Sequence, residues 1–96
     1  MSEQINRYAA RIHRLFNHGN LSYHLAKLLE ESGELSAAVT KSQGDEAVCG
    51  EVADVVLSAL VIGVASCGHK DFDEIIEQKL SALENSPEYQ NFKPPQ

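Results

Sequence analysis

Two short acidic patterns carry the chemistry available to this chain: Glu30-Glu31-Ser32-Gly33-Glu34 and Glu51-Val52-Ala53-Asp54. On a helix, residues three apart stand one turn from each other on one face. Glu31 and Glu34 therefore form one acidic stripe and Glu51 and Asp54 another. Four carboxylates brought together repel one another and must take up protons or bind a cation. A set of oxygen donors without His or Cys suits a hard ion, Mg²⁺ with Mn²⁺ as a substitute, rather than zinc or copper. Such an ion keeps coordination positions open for water and for substrate phosphates, which is the equipment of phosphohydrolases. The first pattern alone is common on solvated helix faces. The second is unusual, because Val48, Val52, Val55, Val56, Ala59, Leu60 and Ile62 make its helix apolar over most of its circumference, and carboxylates are rarely buried unless paired or bound to metal. A di-iron carboxylate bundle would place His three residues after a Glu; Glu34 and Asp54 hold those positions here.

The elements that position these residues follow from apolar periodicity, which is helical almost throughout. Ile5, Tyr8, Ala9, Ile12, Leu15 and Phe16 form the stripe of a first helix that should stop at the Asn17-His18-Gly19-Asn20 cluster. Ser22 is the expected N-cap of a second helix burying Leu25, Leu28, Leu29, Leu35 and Val39. Lys27 and Ala38 continue its acidic stripe. Gly33, costly inside a helix, points to close approach of another helix or a ligand. Ser42-Gln43-Gly44 ends this helix, and Asp45 is expected to cap a third that runs to about Ser66, with Gly68 as stop signal. A loop that short predicts antiparallel packing, which would bring the two acidic stripes face to face. Ala47 and Ser58 flank the stripe on the third helix. Asp71 caps a fourth helix burying Phe72, Ile75, Ile76, Leu80 and Leu83; Asn85-Ser86-Pro87 closes it, and residues 86–96 are expected to be an irregular tail. No period-two run is long enough for a strand. The expectation is one all-α, four-helix bundle-like domain over residues 1–96, assembled as a homo-oligomer because the third helix needs more cover than three amphipathic neighbours provide.

Composition narrows the function. A formal charge of −6 argues against binding a nucleic-acid polymer, which calls for a basic stripe. It leaves nucleotide substrates open, since a bound cation reverses the local field. The apolar stretch from Val52 to Ala65 is interrupted by Asp54 and shorter than the roughly 20 residues of a membrane span. The opening MSEQINRYAARIHR lacks the apolar run of a signal peptide, so a cytoplasmic protein with no membrane association is expected. Cys49 and Cys67 read as reduced core thiols, and His13, His18, His24 and His69 as surface residues without zinc-ligand spacing.

At its acidic patterns the chain resembles the MazG-type all-α nucleoside triphosphate pyrophosphohydrolases. The resemblance lies in EExxE, a spacer and ExxD, with KLLEESGELSAAV before the loop, EVADVVLSAL after it and DFDEIIEQKL in the fourth helix. It implies that Glu31, Glu34, Glu51 and Asp54 hold Mg²⁺. It also implies cleavage of a nucleoside triphosphate between its α and β phosphates, giving monophosphate and pyrophosphate. Glu30 and Glu31 would be catalytic, with Glu30 orienting or deprotonating the attacking water. In the family a fourth-helix lysine contacts substrate, with an asparagine or arginine one turn later. Lys79 matches the lysine, but Leu83 stands at the second place; Lys27 and Lys70 are substitute cations. Family members of this size form homodimers or dimers of dimers with sites near the subunit interface. Three alternatives compete: a phosphoribosyl-ATP pyrophosphohydrolase, a degenerate enzyme that binds nucleotides without turnover, and a non-catalytic helical dimer acting as a binding module. Phe16, Tyr8 and His24 are candidates for stacking on a base.

Overall fold

The computed structural model describes residues 3–16, 20–67 and 70–91, and these are helical, with no strand among them. Five helices follow in order: α1 (Gln4–Leu15), α2 (Leu21–Thr40), α3 (Asp45–Cys67), α4 (Phe72–Glu84) and the short α5 (Pro87–Gln90). The expected turn at Asn17, His18 and Gly19, the stop at Gly68, His69 and the last residues of the tail lie outside the described residues.

Several helix ends depart from expectation by a residue or two. Asn20, not Ser22, caps α2: its Oδ1 accepts the Tyr23 N–H at 2.8 Å. Ser22 lies inside the first turn. Asp45 is the first residue of α3 rather than its cap, because the Gly44 carbonyl accepts the Val48 N–H. Asp45 and Glu46 still favour that end through the helix dipole. Between the helices, Ser42 and Gly44 have φ of 51° and 103°. That left-handed backbone suits glycine, and it reverses the chain within four residues. Asp71 caps α4 as expected, accepting the Glu74 N–H. The tail is not wholly irregular, since Pro87 starts the single turn of α5, the proline's missing N–H falling where no helical partner exists.

The architecture is an antiparallel α2–α3 hairpin, the most extensive helix pairing, with α1 laid on α3 and α4 held mainly against α1. A closed four-helix bundle does not result. The radius of gyration is 15.6 Å, against about 12.5 Å for a compact chain of this length. One small core joins Ala9, Ile12, Val64 and Phe72, with Ile5, Leu60 and Val61 beside it. Its tightest point is Gly63, where an added Cβ would lie 3.0 Å from Cε1 of Phe72. The chain ends of α1 and α4 are interlocked. Asn6 Oδ1 accepts the Phe72 and Asp73 N–H groups, while the Asp73 carboxylate accepts those of Ile5 and Asn6. Each helix thus caps the other.

Much of the expected core is uncovered. Tyr8, Leu15, Phe16, Leu25, Leu29, Val39, Ile75, Ile76, Leu80 and Leu83 are exposed, Leu29 at 65%. On α3, Val52, Val56 and Leu57 are exposed too. Cys49 and Cys67 are free and exposed rather than core thiols. At 23 residues, with an 18-residue stretch of mean hydropathy 2.0, α3 is long and apolar enough to cross a membrane. The Val52–Ala65 count understated its length; core helices of soluble proteins meet the same criterion.

Candidate metal centre

The hairpin brings the two acidic stripes together as the spacing requires. Ligand oxygens of Glu31, Glu51 and Asp54 lie within 4.8 Å of one another, and so do those of Glu30, Glu31 and Glu34. Glu31 belongs to both groups and is the hub. Glu31 and Glu51 are half-buried between the helices, whereas Glu30, Glu34 and Asp54 are exposed. The donor set is all oxygen, as a hard divalent cation requires.

The electrostatics are those of carboxylates lacking a counter-charge. Burial raises the Glu31 carboxyl above its ordinary range, and repulsion from Glu34, Asp54 and Glu51 adds to it. Burial likewise raises Glu51, with Glu34 and Asp54 contributing. The Glu34 carboxyl acts on both, and its charge is one source of the rise in each. When all are ionised no donor remains, and Glu51 Oε2 is a buried oxygen with no hydrogen-bond partner. A buried acceptor left unmatched is costly, and a cation beside it would remove that cost. Glu51 therefore fits a ligand's role better than a structural one.

The lysines divide. Lys27, on α2, pairs with Glu30 at 3.5 Å and is held above its ordinary value by that partner. It stands one turn from Glu31. Lys79 is exposed on α4, which packs mainly on α1 and meets α3 through Phe72 at its start, and it is in neither acidic group. Leu83 shares that helix. Lys70 lies at the other end of the fold, in an open cavity with His13, Arg14 and Asp71. Gly33 faces open space, so the close approach expected there is not made within the chain; it is made at Gly63 instead. His24 is buried at 5% exposure, not a surface residue. It sits in edge-to-face contact with Phe16 and Tyr23. Tyr23, one turn before Lys27, and Ser58, expected beside the acidic stripe, join it around a small recess. Comparison with known protein families, curated proteins and solved structures returned no match.

Proposed function

We propose that this chain is a Mg²⁺-dependent nucleotide pyrophosphohydrolase of the MazG-like kind, cleaving a nucleoside triphosphate between its α and β phosphates. The observation that carries the reading is the partnerless, buried Glu51 Oε2 in one of two groups of three acids that share Glu31 and lie on two facing helices. Glu31, Glu34, Glu51 and Asp54 would hold the ion. Bound there, Mg²⁺ supplies neutralisation of the phosphate chain and acidification of water. Glu30, at the solvent side of the group, orients the water and takes its proton. The water oxygen bonds to the α-phosphorus as the bond from that phosphorus to the oxygen bridging to the β-phosphate breaks, leaving monophosphate and pyrophosphate. Lys27, beside Glu30, is placed to meet phosphate oxygens. Lys79 would serve a site only across a subunit interface.

Assembly as a homodimer or homotetramer in the cytoplasm belongs to the same proposal. The exposed Val52, Val56 and Leu57 of α3 and the uncovered face of α4 need a partner surface. The same apolar faces favour the second reading, a non-catalytic helical dimer. The deciding experiment incubates the chain with ribo- and deoxyribonucleoside triphosphates, with Mg²⁺ or EDTA, beside Glu51→Gln. Pyrophosphate release that needs Mg²⁺ and disappears in the variant is expected. Orthophosphate with diphosphate would move the cleaved bond. No turnover, with no metal bound, would leave the binding module.

A further inference from the structure

Charge is segregated along this chain. Between Gln4 and Leu15, α1 holds Arg7, Arg11 and Arg14 and no acidic residue, in a protein whose formal charge is −6. Spaced one helical turn apart, the arginines share one exposed face, and none of them joins an ion pair among the described residues. The Arg11 guanidinium lies over the Tyr8 ring, 5.9 Å from its centroid, at the wall of an open apolar groove of about 500 Å³. Tyr8, Arg11 and Leu15 of α1 line one side of that groove, and Ala53, Val56 and Leu57 of α3 line the other. The fourth helix is its complement. Phe72 and Asp73 at the start of α4 tie it to α3 and α1, but each residue from Glu74 to Leu80 is exposed. Ile75, Ile76, Leu80 and Leu83 make an uncovered apolar stripe, and Glu77 and Glu84 run along its edge. A helix of 13 residues is marginal in water unless it packs on something.

Resting on the assembly put forward above and naming its surfaces, we propose that the groove is filled by α4 of a second copy, in a two-fold dimer where each α4 lies on the other copy's α1 and α3. The apolar stripe of α4 covers Val56 and Leu57, while Glu77 and Glu84 face the arginines of the other α1. The path permits it. Each α4 leaves the body at the start of α1, where Asp73 binds Ile5 and Asn6, whereas the groove lies toward the end of α1. Two α1 helices set antiparallel across a two-fold axis place the start of one beside the end of the other, so both grooves are filled at once. Lys79, within the stripe, extends its apolar stem and keeps its amine at the rim. The area agrees. The chain exposes 7462 Å², against about 5,400 Å² for a compact chain of its mass. The excess, about 2,000 Å², is in the range that each partner of a permanent dimer covers. A foreign acidic helix would fit the same groove but would leave this chain's own α4 bare.

Sedimentation of the full chain over a range of concentrations tests the assembly and the pairing separately. Wild type should sediment as a dimer of the 10.5 kDa chain. One variant carries Arg7→Glu with Arg11→Glu, the other Glu77→Arg with Glu84→Arg, and all four positions are exposed. Alone, each variant meets like charge at both contacts and should dimerise at least roughly tenfold more weakly. Mixed one to one, the variants are complementary at both contacts and should form a heterodimer as tight as wild type. If a reversal fails to fold by circular dichroism, Arg7→Gln with Arg11→Gln and Glu77→Gln with Glu84→Gln take its place. Each neutral pair should loosen the dimer, and the four together should loosen it by less than the product of the two. A wild type that is monomeric throughout would overturn the assembly and the pairing together. A dimer indifferent to these substitutions, or reversed variants that stay apart when mixed, would overturn the pairing and leave the assembly standing.

Discussion

Replacing Glu51 by Gln should stabilise the metal-free protein and make it insensitive to metal, two effects of opposite sign from one substitution. Both the Glu31 and Glu51 carboxyls titrate above their ordinary range. A raised carboxyl contributes stability that is fully present below its unfolded pKa and lost as pH rises through the folded value. The metal-free wild type should therefore be most stable in mild acid and weaken toward neutral pH. Magnesium, if held as proposed, would act the other way, because a cation binds the ionised forms and competes with protons. At a metal concentration 100 times the dissociation constant, binding adds about 2.7 kcal/mol. With a shift of roughly 4–8 °C per kcal/mol for a chain of this size, that raises the midpoint by roughly 10–20 °C. Glu51→Gln keeps the shape of the side chain, removes one charge from the cluster and lets an amide donate to Glu34. Its loss as a ligand should weaken metal binding by at least the roughly 10–100-fold seen when an outer partner is lost, consuming most of that rise. Thermal melts at pH 5 and 7.5, with EDTA or Mg²⁺, read all four quantities. A Gln variant that melts at or below wild type in EDTA at pH 7.5 and responds normally to Mg²⁺ would refute the metal-site reasoning.

Asn6→Ala removes a cap acceptor from α4 and a donor from Asp71, and should cost about 1–2 kcal/mol in urea unfolding. Asp73→Ala should cost a similar amount, and the double variant should lose less than the sum, because each residue caps the other's helix. Asp71 is held below its ordinary range by Asn6 and by the Glu74 N–H. Its contribution is thus present at neutral pH and lost as pH falls through the lowered value, and Asn6→Ala should flatten that acid limb. Gly63→Ala should destabilise by about 1–3 kcal/mol, its methyl meeting the Phe72 ring, whereas Gly33→Ala, facing open space, should stabilise by about 0.4–1 kcal/mol. Val56→Asp on the exposed face of α3 should convert an oligomer to monomer in sedimentation. A wild type that already sediments at 10.5 kDa would remove the case for association.

What the sequence made legible was local. The α2–α3 pairing follows from a short loop and two stripes of matching spacing, and the convergence of Glu31 with Glu51 and Asp54 follows from that pairing. The helix count was nearly right for the same reason, since period and turn residues act over a few positions. What failed needed knowledge of partners. Leu29 and Ile76 belong to apolar stripes, yet a stripe records only that a surface is apolar and not whether this chain covers it. The same blindness misplaced Cys49 and Cys67 and left His24 on the surface. Lys79 is a related case, because its distance from the hairpin depends on α4 packing against α1, a long-range choice that no local pattern encodes. Caps slipped from Ser22 to Asn20 because both residues are good caps and the tertiary path chose between them.

The mutual capping of α1 and α4 has a kinetic side. The bonds from Asp73 to Ile5 and Asn6 close sequence separations of 68 and 67 residues, whereas the hairpin that carries the acids closes over four. Loop entropy makes the distant contact the later one to form, and its few, only partly buried bonds make it the earlier one to open. Under native conditions the chain should therefore breathe by releasing its two outer helices together while the acidic hairpin stays paired. Amide exchange would register this as one shared opening for α1 and the start of α4, faster than the middle of α2 and α3. The half that carries the acidic group would then be the durable half of the molecule.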